Sequence, residues 1–289
     1  MNPYHQYVSE IARLARGAKA APLGGQPPLP PSKLAPDAPR AVIFAPHPDD
    51  ECLVGGLALR LQREAGMRVV NVAVTQGSNK ARQGPRWAEL TAACDYIGFD
   101  LVGAWPGGLE SINLDTRGRD PDRWHQSVEV IRGILAQQSP EVVFVPHGGD
   151  WNSTHIGTHY VVMDALARQG PGFECTVVET EYWGAMDAPN LMVELSADHV
   201  TDLLTALTFH VEEVRRNPYH VLFPGWLMDN VRRGGEIVGG QGRAAPDFTY
   251  ATLYRVRRWA GGGLRDLFDG GRALSVSSRA GDFLAGLGR

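Results

Sequence analysis

The feature that most constrains the fold is an alternation of short apolar runs with longer segments of helical character. The first run, residues 41–45, is rich in β-branched and aromatic side chains, and comparable runs follow at 68–75, 101–104 and 141–146. Runs of this length and composition are typical of buried strands. Strands that alternate with helices at this spacing form βαβ units, whose strands are parallel. The sequence therefore predicts an α/β fold with a mostly parallel sheet flanked by helices.

The segments between these runs carry the helix signals. Gly66 and Gly98 stand where two helices should end, and Asp120 followed by proline is a strong helix start. Residues 105–120 are irregular and polar, and loops of that length are often functional. No G-x-G-x-x-G follows the first strand, which argues against a dinucleotide site. The predicted helices span about 55–65, 85–97, 120–138 and 160–166.

After residue 170 the parallel pattern ends. Residues 175–183 and 191–195 are strand-like, and the turn-rich link between them predicts a hairpin at the far edge of the sheet. A helix is predicted at 198–216, an irregular segment at 217–242 and a strand at 248–259. The expected fold is therefore a Rossmann-like, mostly parallel sheet flanked by helices, with an antiparallel C-terminal addition.

Both ends of the chain lie outside this pattern. Residues 3–16 carry apolar side chains at helical spacing, which predicts a short amphipathic helix that docks on the body or on a neighbouring subunit. Seven prolines between residues 22 and 39 predict a stiff strap, with a ligand for a partner domain as the alternative. We expect three parts: 1–39 as helix and strap, 40–259 as one domain (core 40–170, C-terminal elaboration 171–259), and 260–289 as a glycine-rich tail able to dock a short helix.

Composition argues against several classes of protein. The 289 residues include 28 basic and 32 acidic side chains, a net charge of −4, whereas a nucleic-acid-binding domain is basic. No apolar run approaches the roughly 20 residues of a membrane span, and the amino terminus lacks the apolar block of a signal peptide. Cys52, Cys94 and Cys175 are isolated and odd in number, so we expect buried free thiols and a cytoplasmic location.

A polar cluster follows the first predicted strand directly. His47, Asp49, Asp50 and Glu51 lie within five positions of one another. In parallel α/β sheets, ligands bind beyond the carboxyl ends of the strands, which is where this cluster falls. His47 and Asp50 can both turn toward a divalent ion from one tight turn, which leaves Asp49 to hold a water molecule. The alternative is that these acids only cap and solvate a loop.

The fourth predicted strand ends in a second polar cluster. It contains His147, Asp150, Asn152, His155 and His159. Two clusters at equivalent strand ends can converge in space although about a hundred residues separate them. Zinc in hydrolytic sites commonly takes three protein ligands and keeps one position open for water. The first cluster offers two ligands, and the second offers a choice of imidazoles for the third.

The stretch AVIFAPHPDDECLVGG, residues 41–56, resembles the signature of the PIG-L / LmbE-like zinc-dependent N-deacetylases, in which a strand is followed by AHPDDE. Further matches lie at 86–89, 142–147 and 150–155, so the resemblance covers roughly residues 40–165. It implies that residues 40–259 form a deacetylase domain of the N-acetylglucosaminyl type, a hydrolase of linear amide C–N bonds.

The resemblance also implies the ligand set. The family pattern D-x-H-x-x-H nominates His155 as the third metal ligand beside His47 and Asp50. His159 lies one helical turn further on, where it either supports the site from outside the ligand set or belongs to the core. His147 ends the strand, where it lines the pocket and assists at the oxyanion or serves the fold alone.

The chain departs from the family pattern at Asn152, where many relatives have a histidine thought to help stabilise the oxyanion. An amide still donates a hydrogen bond to an oxyanion, but it brings no positive charge and cannot act as an acid. The alternative role for Asn152 is to cap a helix that begins near Thr154 or His155, which asparagine does well.

Two substrate contacts follow from the same resemblance. Arg86 matches an arginine that reaches toward the substrate in relatives, with a surface ion pair to Glu89 as the alternative. Asp115 lies roughly where relatives place an acceptor for a sugar hydroxyl. Three later side chains either roof the site or serve core and subunit contacts: Trp183, His210 and Trp226.

The resemblance predicts one Zn²⁺ per chain, with other divalent ions as alternatives. A metal-activated water would attack the amide of an N-acetylated amino sugar or glycoconjugate, with Asp49 as general base and Asn152 or His147 assisting at the oxyanion. We expect this small-molecule substrate as the partner, no nucleic acid and no membrane span, and we leave a homo-oligomer open.

Two other functions stay open from the sequence. A non-catalytic, metal-containing sugar-binding protein on the same fold would explain the loss of the usual histidine at Asn152. Asp49 and the open-sided ligand set argue against it, because structural zinc usually closes its fourth position with a protein ligand. A phosphoesterase would need a second metal ion, for which the sequence offers no clear ligand set.

Overall fold

The computed structural model describes residues 2–240, 242 and 244–287, and nine strands of the described chain form one sheet. The strands are β1 (Arg40–Ala45), β2 (Arg68–Ala73), β3 (Asp100–Gly103), β4 (Val142–Pro146), β5 (Cys175–Thr180), β6 (Leu191–Leu195), β7 (Tyr250–Ala260), β8 (Gly263–Asp266) and β9 (Arg272–Leu274). The α-helices are α1 (Pro3–Ala18), α2 (Asp50–Leu53), α3 (Gly56–Ala65), α4 (Lys80–Ile97), α5 (Leu114–Arg119), α6 (Pro121–Gln138), α7 (Ser153–Ala167), α8 (Ala197–Thr208), α9 (Val211–Arg216), α10 (Phe223–Ile237) and α11 (Ala280–Leu287).

The sheet has a parallel half and a half of mixed direction. Its order is β3-β2-β1-β4-β5-β7-β6-β9, with β8 pairing to β7. The first five strands of that order are parallel, whereas β7 runs antiparallel to β5, β6 and β8. The predicted α/β fold, a Rossmann-like mostly parallel sheet with an antiparallel C-terminal addition, is confirmed.

The predicted hairpin between β5 and β6 is wrong, because β7 lies between them. β7 pairs with β5 from Cys175↔Trp259 to Thr180↔Tyr254 and with β6 from Leu191↔Tyr254 to Leu195↔Tyr250. Its eleven residues are long enough to serve both neighbours in different parts of its length. Strands adjacent in sequence usually pair, and here a strand from much later in the chain takes the place.

Several helices begin earlier than their apolar pattern indicates, because an asparagine caps each of them. Asn79 accepts a hydrogen bond from the Ala81 amide, so α4 begins at Lys80 and Pro85 lies inside it. Asn113 caps α5, a short helix within the segment 105–120 that was predicted to be irregular. Such side-chain oxygens satisfy amides that have no partner within the helix.

The C-terminal part is more helical than predicted. The helix expected at 198–216 divides into α8 and α9 around His210, and the segment expected to be irregular, 217–242, contains α10. The tail after residue 260 forms β8, β9 and α11 rather than a single docked helix. The fully buried guanidinium of Arg60 donates hydrogen bonds to the carbonyls of Leu274, Ser275 and Ser278, and so ties this tail to α3.

Two apolar layers enclose the sheet. One layer packs α3, α4 and α8 against one face, and the other packs α6 and α7 against the opposite face. Residues of the central strands alternate between them: Ala41, Ile43 and Ala45 of β1 belong to the first layer, while Val42 and Phe44 belong to the second. The central strands are therefore covered on both faces, as parallel strands usually are.

The two parts of the N-terminal segment differ in their contact with the body of the protein. The proline-rich segment runs along the body, where the Gly24 amide donates to Thr208 Oγ1 and the Leu29 amide donates to the Tyr96 carbonyl. Helix α1 is confirmed, but its apolar side chains are exposed and none of its residues is buried. Within the described chain, α1 therefore does not dock on the body.

The three cysteines are free and buried, as predicted. None of the helices in the described part of the chain has both the length and the hydrophobicity that crossing a bilayer requires.

Candidate metal centre and active-site cleft

The strand order brings the two polar clusters together. β1 and β4 are parallel neighbours, so the segments that follow them leave the same edge of the sheet side by side. Asp50 Oδ2 lies 3.4 Å from His47 Nδ1 and 3.5 Å from His155 Nε2. One donor atom from each of these three residues lies within 4.8 Å of the other two. The three residues predicted as metal ligands therefore meet at one point.

Asp50 is held as a carboxylate. It is almost fully buried, and its Oδ2 accepts a hydrogen bond of 2.8 Å from the His47 amide. Burial works to raise the pKa of Asp50, but the charge of His155 and the hydrogen bonds from His47 outweigh burial and lower the pKa. The negative charge at the centre of the three donors is thus favoured by its surroundings.

His155 is backed by a second carboxylate. Its Nδ1 lies 3.2 Å from Asp150 Oδ2, which leaves Nε2 pointing toward Asp50. The other oxygen of Asp150, Oδ1, accepts a hydrogen bond of 2.8 Å from the backbone amide of Asn152. Burial works to lower the pKa of His155, but the charges of Asp50 and Asp150 outweigh it and raise the pKa. A carboxylate behind an imidazole in this way is typical of metal-binding histidines.

Asp49 lies beside the three donors in an unusual backbone conformation. Its φ of 110° is in the left-handed region, which a residue with a side chain rarely adopts. Its Oδ2 accepts a hydrogen bond from the Tyr219 hydroxyl, and its amide donates to Glu51 Oε2 at 3.0 Å. Burial, together with the charge of Asp50, raises the pKa of Asp49 to about 7.

Glu51 and His210 form a buried pair directly behind Asp49. Glu51 Oε1 lies 2.7 Å from His210 Nε2 and accepts a second hydrogen bond, of 3.2 Å, from the Cys52 thiol. Burial works to lower the pKa of His210, but the charge and hydrogen bond of Glu51 outweigh it and raise the pKa. From the sequence, His210 was a candidate for the roof of the site; it lies beneath the loop instead.

A cleft of about 390 Å³ opens onto the donors, and a second of about 360 Å³ adjoins it at His47. The walls of the first, which we call the donor cleft, include Asn152, Trp183 and Tyr219 besides the donor residues. Trp183 is 44% exposed, and its indole meets the Tyr219 ring edge-on at 5.3 Å between centroids. An exposed aromatic ring and several polar groups are a wall that suits a polar ligand with an apolar face.

Arg86 also lines the donor cleft. It donates a hydrogen bond of 3.0 Å to the Pro48 carbonyl, and its Nε lies 3.6 Å from Glu213 of α9. Arg86 pairs with Glu213 and not with Glu89, whose Oε1 accepts a hydrogen bond from the Glu212 amide. Arg86 thus lies between the loop that carries Asp49 and helix α9.

Asn152 is the N-cap of α7. Its Oδ1 accepts a hydrogen bond of 2.9 Å from the Thr154 amide. Because Oδ1 accepts this hydrogen bond, the side-chain nitrogen Nδ2 is the group left to face the cleft that Asn152 lines. The geometry therefore supports the capping role and leaves one hydrogen-bond donor for a ligand.

Three other residues that the sequence suggested for the site do not contact the candidate metal donors. Both ring nitrogens of His147 bond to backbone, Nε2 to the Gly184 carbonyl and Nδ1 to the Gly149 amide, and His147 lines neither cleft. His159 Nδ1 donates to the Pro146 carbonyl at 2.8 Å, as a buried histidine of the core does. Asp115 is exposed in α5, pairs with Arg119 at 3.0 Å and also lies outside both clefts.

Four residues that the structure adds to the site were not predicted from the sequence. Asp150 was part of the D-x-H-x-x-H match but received no role, although a carboxylate five residues before a candidate ligand was a usable signal. The contacts of the other three depend on where the C-terminal segments pack, and of these residues only Glu51 stood in a cluster that the sequence singled out. These are Glu51 as a partner of His210, Glu213 and Tyr219.

Fold and donors define an α/β protein with a candidate metal centre at the carboxyl ends of its parallel strands. Residues 42–166 match the family model PIG-L, described as GlcNAc-PI de-N-acetylase. The matched segment contains both polar clusters, and the resemblance based on the HPDDE motif is confirmed.

Curated relatives agree with the family match. The 1D-myo-inositol 2-acetamido-2-deoxy-alpha-D-glucopyranoside deacetylase of Mycobacterium leprae (strain Br4923) is 29% identical over 175 residues, which are 51% of this chain and 56% of that protein. The deacetylase of the same name from Mycobacterium sp. (strain KMS) is 30% identical over 201 residues, 58% of this chain and 65% of that protein. The chain thus spans somewhat over half the length of these relatives.

Solved structures share the fold at low identity. A deacetylase from the biosynthesis pathway of teicoplanin has a TM-score of 0.57 at 16% identity, covering 76% of this chain and 98% of its own. The N,N'-diacetylchitobiose deacetylase of Pyrococcus horikoshii has a TM-score of 0.54 at 16% identity, covering 91% and 94%. The 4-carboxy-2-hydroxymuconate hydratase of Pseudomonas putida KT2440 also shares it, with a TM-score of 0.52 at 16% identity, covering 75% and 95%. Because one neighbour is a hydratase, the fold alone does not assign the reaction.

Proposed function

We propose that the protein is a metal-dependent hydrolase that removes the acetyl group from an N-acetylated amino sugar or related glycoconjugate. The observation that carries this proposal is the carboxylate of Asp49, which lines the cleft beside the three donors and is held there by Tyr219. A metal kept only for structure needs no such group, whereas hydrolysis needs a base. The PIG-L match and the named deacetylases supply the bond that is cleaved.

The residues that would hold the ion are His47, Asp50 and His155. Two imidazole nitrogens and one carboxylate oxygen are a donor set typical of catalytic zinc, and the contact of Asp150 with His155 Nδ1 fits such a ligand. We expect one Zn²⁺ per chain, with other divalent ions as alternatives for the same donors. The chemistry such an ion supplies is a more acidic water and a polarised amide carbonyl.

Asp49 would carry the proton through both halves of the reaction. It accepts a proton from the attacking water as the water oxygen bonds to the acyl carbon, and it returns that proton to the amine nitrogen as the C–N bond breaks. A group that does both works best when its pKa lies near the working pH. Burial and the charge of Asp50 raise the pKa of Asp49, which favours its holding the proton between the two steps.

The remaining wall of the cleft would bind and orient the substrate. The side-chain amide nitrogen of Asn152 would donate to the acyl oxygen, which is weaker help than the histidine of many relatives because the amide carries no charge. Arg86 and Trp183 offer a cation and an apolar ring to the sugar or its substituent. His147 and Asp115 have no part in this proposal, because neither lines the clefts.

A paired assay tests the proposal. Metal-loaded protein and its Asp49→Asn variant are incubated with a panel of N-acetylated sugars and glycoconjugates, and free acetate and primary amine are both measured. We expect equal amounts of the two products from the unaltered protein, and a rate lower by about 10² to 10⁴ from the variant at the same metal content.

The second candidate is a non-catalytic sugar-binding protein, favoured by Asn152 in place of the usual histidine. Calorimetric titration of the same panel into metal-loaded protein separates the two. Saturable sugar binding without any acetate release, at full metal occupancy, would contradict the hydrolase and support the binding protein.

A further inference from the structure

Glu51 is a buried carboxylate that the proposed chemistry does not use. It is fully buried, yet it contacts three groups: its Oε2 accepts from the Asp49 amide, and its Oε1 accepts from Cys52 and meets His210 Nε2. A buried carboxylate is retained only where partners compensate the loss of its hydration. The surroundings of Glu51 are therefore built for a charged or strongly hydrogen-bonding group.

The contact with the Asp49 amide bears on the reactive carboxylate. A non-glycine residue at a φ of 110° is strained, and such a conformation persists only where neighbouring structure enforces it. The bond of 3.0 Å from the Asp49 amide to Glu51 Oε2 is one such restraint on the backbone. The hydrogen bond from Tyr219 then restrains the carboxylate at the other end of the same residue.

His210 in turn fixes Glu51. Its Nε2 lies 2.7 Å from Glu51 Oε1, and its side chain is 1% exposed. It sits at the junction of α8 and α9, outside the matched segment 42–166. A charge-assisted hydrogen bond of this length holds both partners in one orientation. The position of the Asp49 amide thus depends on a histidine from the C-terminal part of the chain.

We propose that His210 is a positioning residue for the reaction, which acts through Glu51 to hold Asp49 in its left-handed conformation against the cleft. This inference rests on the proposed function, because Asp49 matters as the base of that hydrolysis. His210 does not line the cleft, and its Nε2 bonds to Glu51 and not to a donor residue. Its effect is therefore on turnover at a filled site.

The same three residues invite a competing interpretation. Glu51, Cys52 and His210 each offer a donor atom within 4.8 Å of the others, as residues around a second ion would. Their donor atoms, however, bond to one another at 2.7 Å and 3.2 Å in a fully buried setting. The positioning role uses those bonds as they stand, so we favour it over a second metal site.

Two neutral replacements of His210 test the proposal. In His210→Gln the side-chain amide nitrogen reaches about as far as Nε2 and still donates to Glu51, whereas in His210→Asn it is too short to reach. We expect kcat within about tenfold of the unaltered protein for the glutamine variant and a loss of about a hundredfold for the asparagine variant. KM and a content of one metal ion per chain should stay unchanged in both.

Glu179→Gln is the matched control. Glu179 is also a buried carboxylate, paired with Arg257 at 2.7 Å on the C-terminal strands, but it contacts neither Asp49 nor Glu51. We expect it to lower the melting temperature while leaving kcat per folded molecule unchanged. A similar fall of kcat in this control would assign the effect of His210 to general stability and overturn the proposal.

Other outcomes separate the remaining interpretations. Equal kcat in the glutamine and asparagine variants would overturn the positioning role, and so would a second metal ion per chain that both variants lose. Crystal structures of the variants test the proposal without an assay. The φ angle of Asp49 should stay positive in His210→Gln and leave the left-handed region in His210→Asn. An unchanged φ in His210→Asn would overturn the proposal. An unaltered protein that releases no acetate would instead count against the proposed function.

Discussion

The family-matched segment, residues 42–166, and the C-terminal part that follows it contribute to the site in different ways. The first supplies the three candidate metal donors and Asp49. The second supplies groups that hold these residues: Tyr219 contacts the Asp49 carboxylate, His210 contacts Glu51, and Glu213 lies beside Arg86. Reactive groups come from strand ends, and the restraints on them come from helices packed on afterwards.

The largest effect should come from removing a donor of the first region. His155→Ala should release the metal and lower activity by more than about 10⁴, because an ion's effect on the acidity of water spans many orders of magnitude. The matched control is His159→Ala, a buried histidine on the same helix that bonds to the Pro146 carbonyl. Metal analysis of both proteins decides the assignment. If only the His159 variant loses its metal, the third donor has been misassigned.

Next in size is the base itself. Asp49→Asn should keep the metal but lower kcat by about 10² to 10⁴, since the amide cannot accept the proton. Asparagine tolerates left-handed backbone better than most residues, so the melting temperature should not fall. Metal content, kcat and melting temperature are measured on one preparation. Full activity with metal bound would remove Asp49 from the mechanism.

The third prediction moves to the C-terminal region. Tyr219→Phe removes a hydrogen bond that lowers the pKa of Asp49, so the pKa of Asp49 should rise. A base works when deprotonated, so the acid limb of the kcat profile should move to higher pH, with turnover at neutral pH lower by about tenfold. A bound cation lowers the pKa in both proteins alike and leaves the direction unchanged.

Tyr96→Phe is the control for this shift, because its hydroxyl contacts Asp202, away from both clefts. Its pH profile should match that of the unaltered protein. Identical profiles for all three proteins would show that the C-terminal restraint on Asp49 has no influence on its ionisation.

The smallest effect concerns Asn152, which belongs to the first region and caps helix α7. Asn152→Ala should reduce the free energy of unfolding by about 1 kcal/mol through loss of the cap, with kcat lower by no more than about tenfold because the ion provides most of the oxyanion stabilisation. Asp120→Ala, which removes the cap of α6 far from the clefts, should cost similar stability and no activity. If Asn152→Ala instead slows turnover by about a hundredfold or more, the amide has a direct part in the chemistry.

The same contrast explains what the sequence could predict. His47, Asp50 and His155 meet in space because parallel strands deliver their ends to one edge of the sheet, whereas the choice of His155 among the histidines came from the family pattern. The roles given to these residues stay predictions. Asp49 also carried no sign of its positive φ, since backbone strain leaves no pattern in composition.

The contributions of the second region could not be predicted. β7 separates β5 from β6, so the rule that neighbouring strands pair gave a hairpin that does not exist. That error left the segment between β6 and β7 without a position, and with it Tyr219 and His210. Their contacts with Asp49 and Glu51 join residues far apart in the chain, which no local pattern encodes.

The insertion of β7 also orders events during synthesis. When the chain has grown only to β6, the family-matched segment is complete, but β5 still presents an unpaired edge, because its partner β7 has yet to be made. Contacts of such long range form slowly, and an open strand edge is prone to associate with other chains in the meantime. The three candidate donors can therefore meet before Tyr219 and His210, which contact Asp49 and Glu51, have been made. A nascent or shortened chain that ends at β6 would carry these donors on a sheet whose β5 edge is still open to other chains.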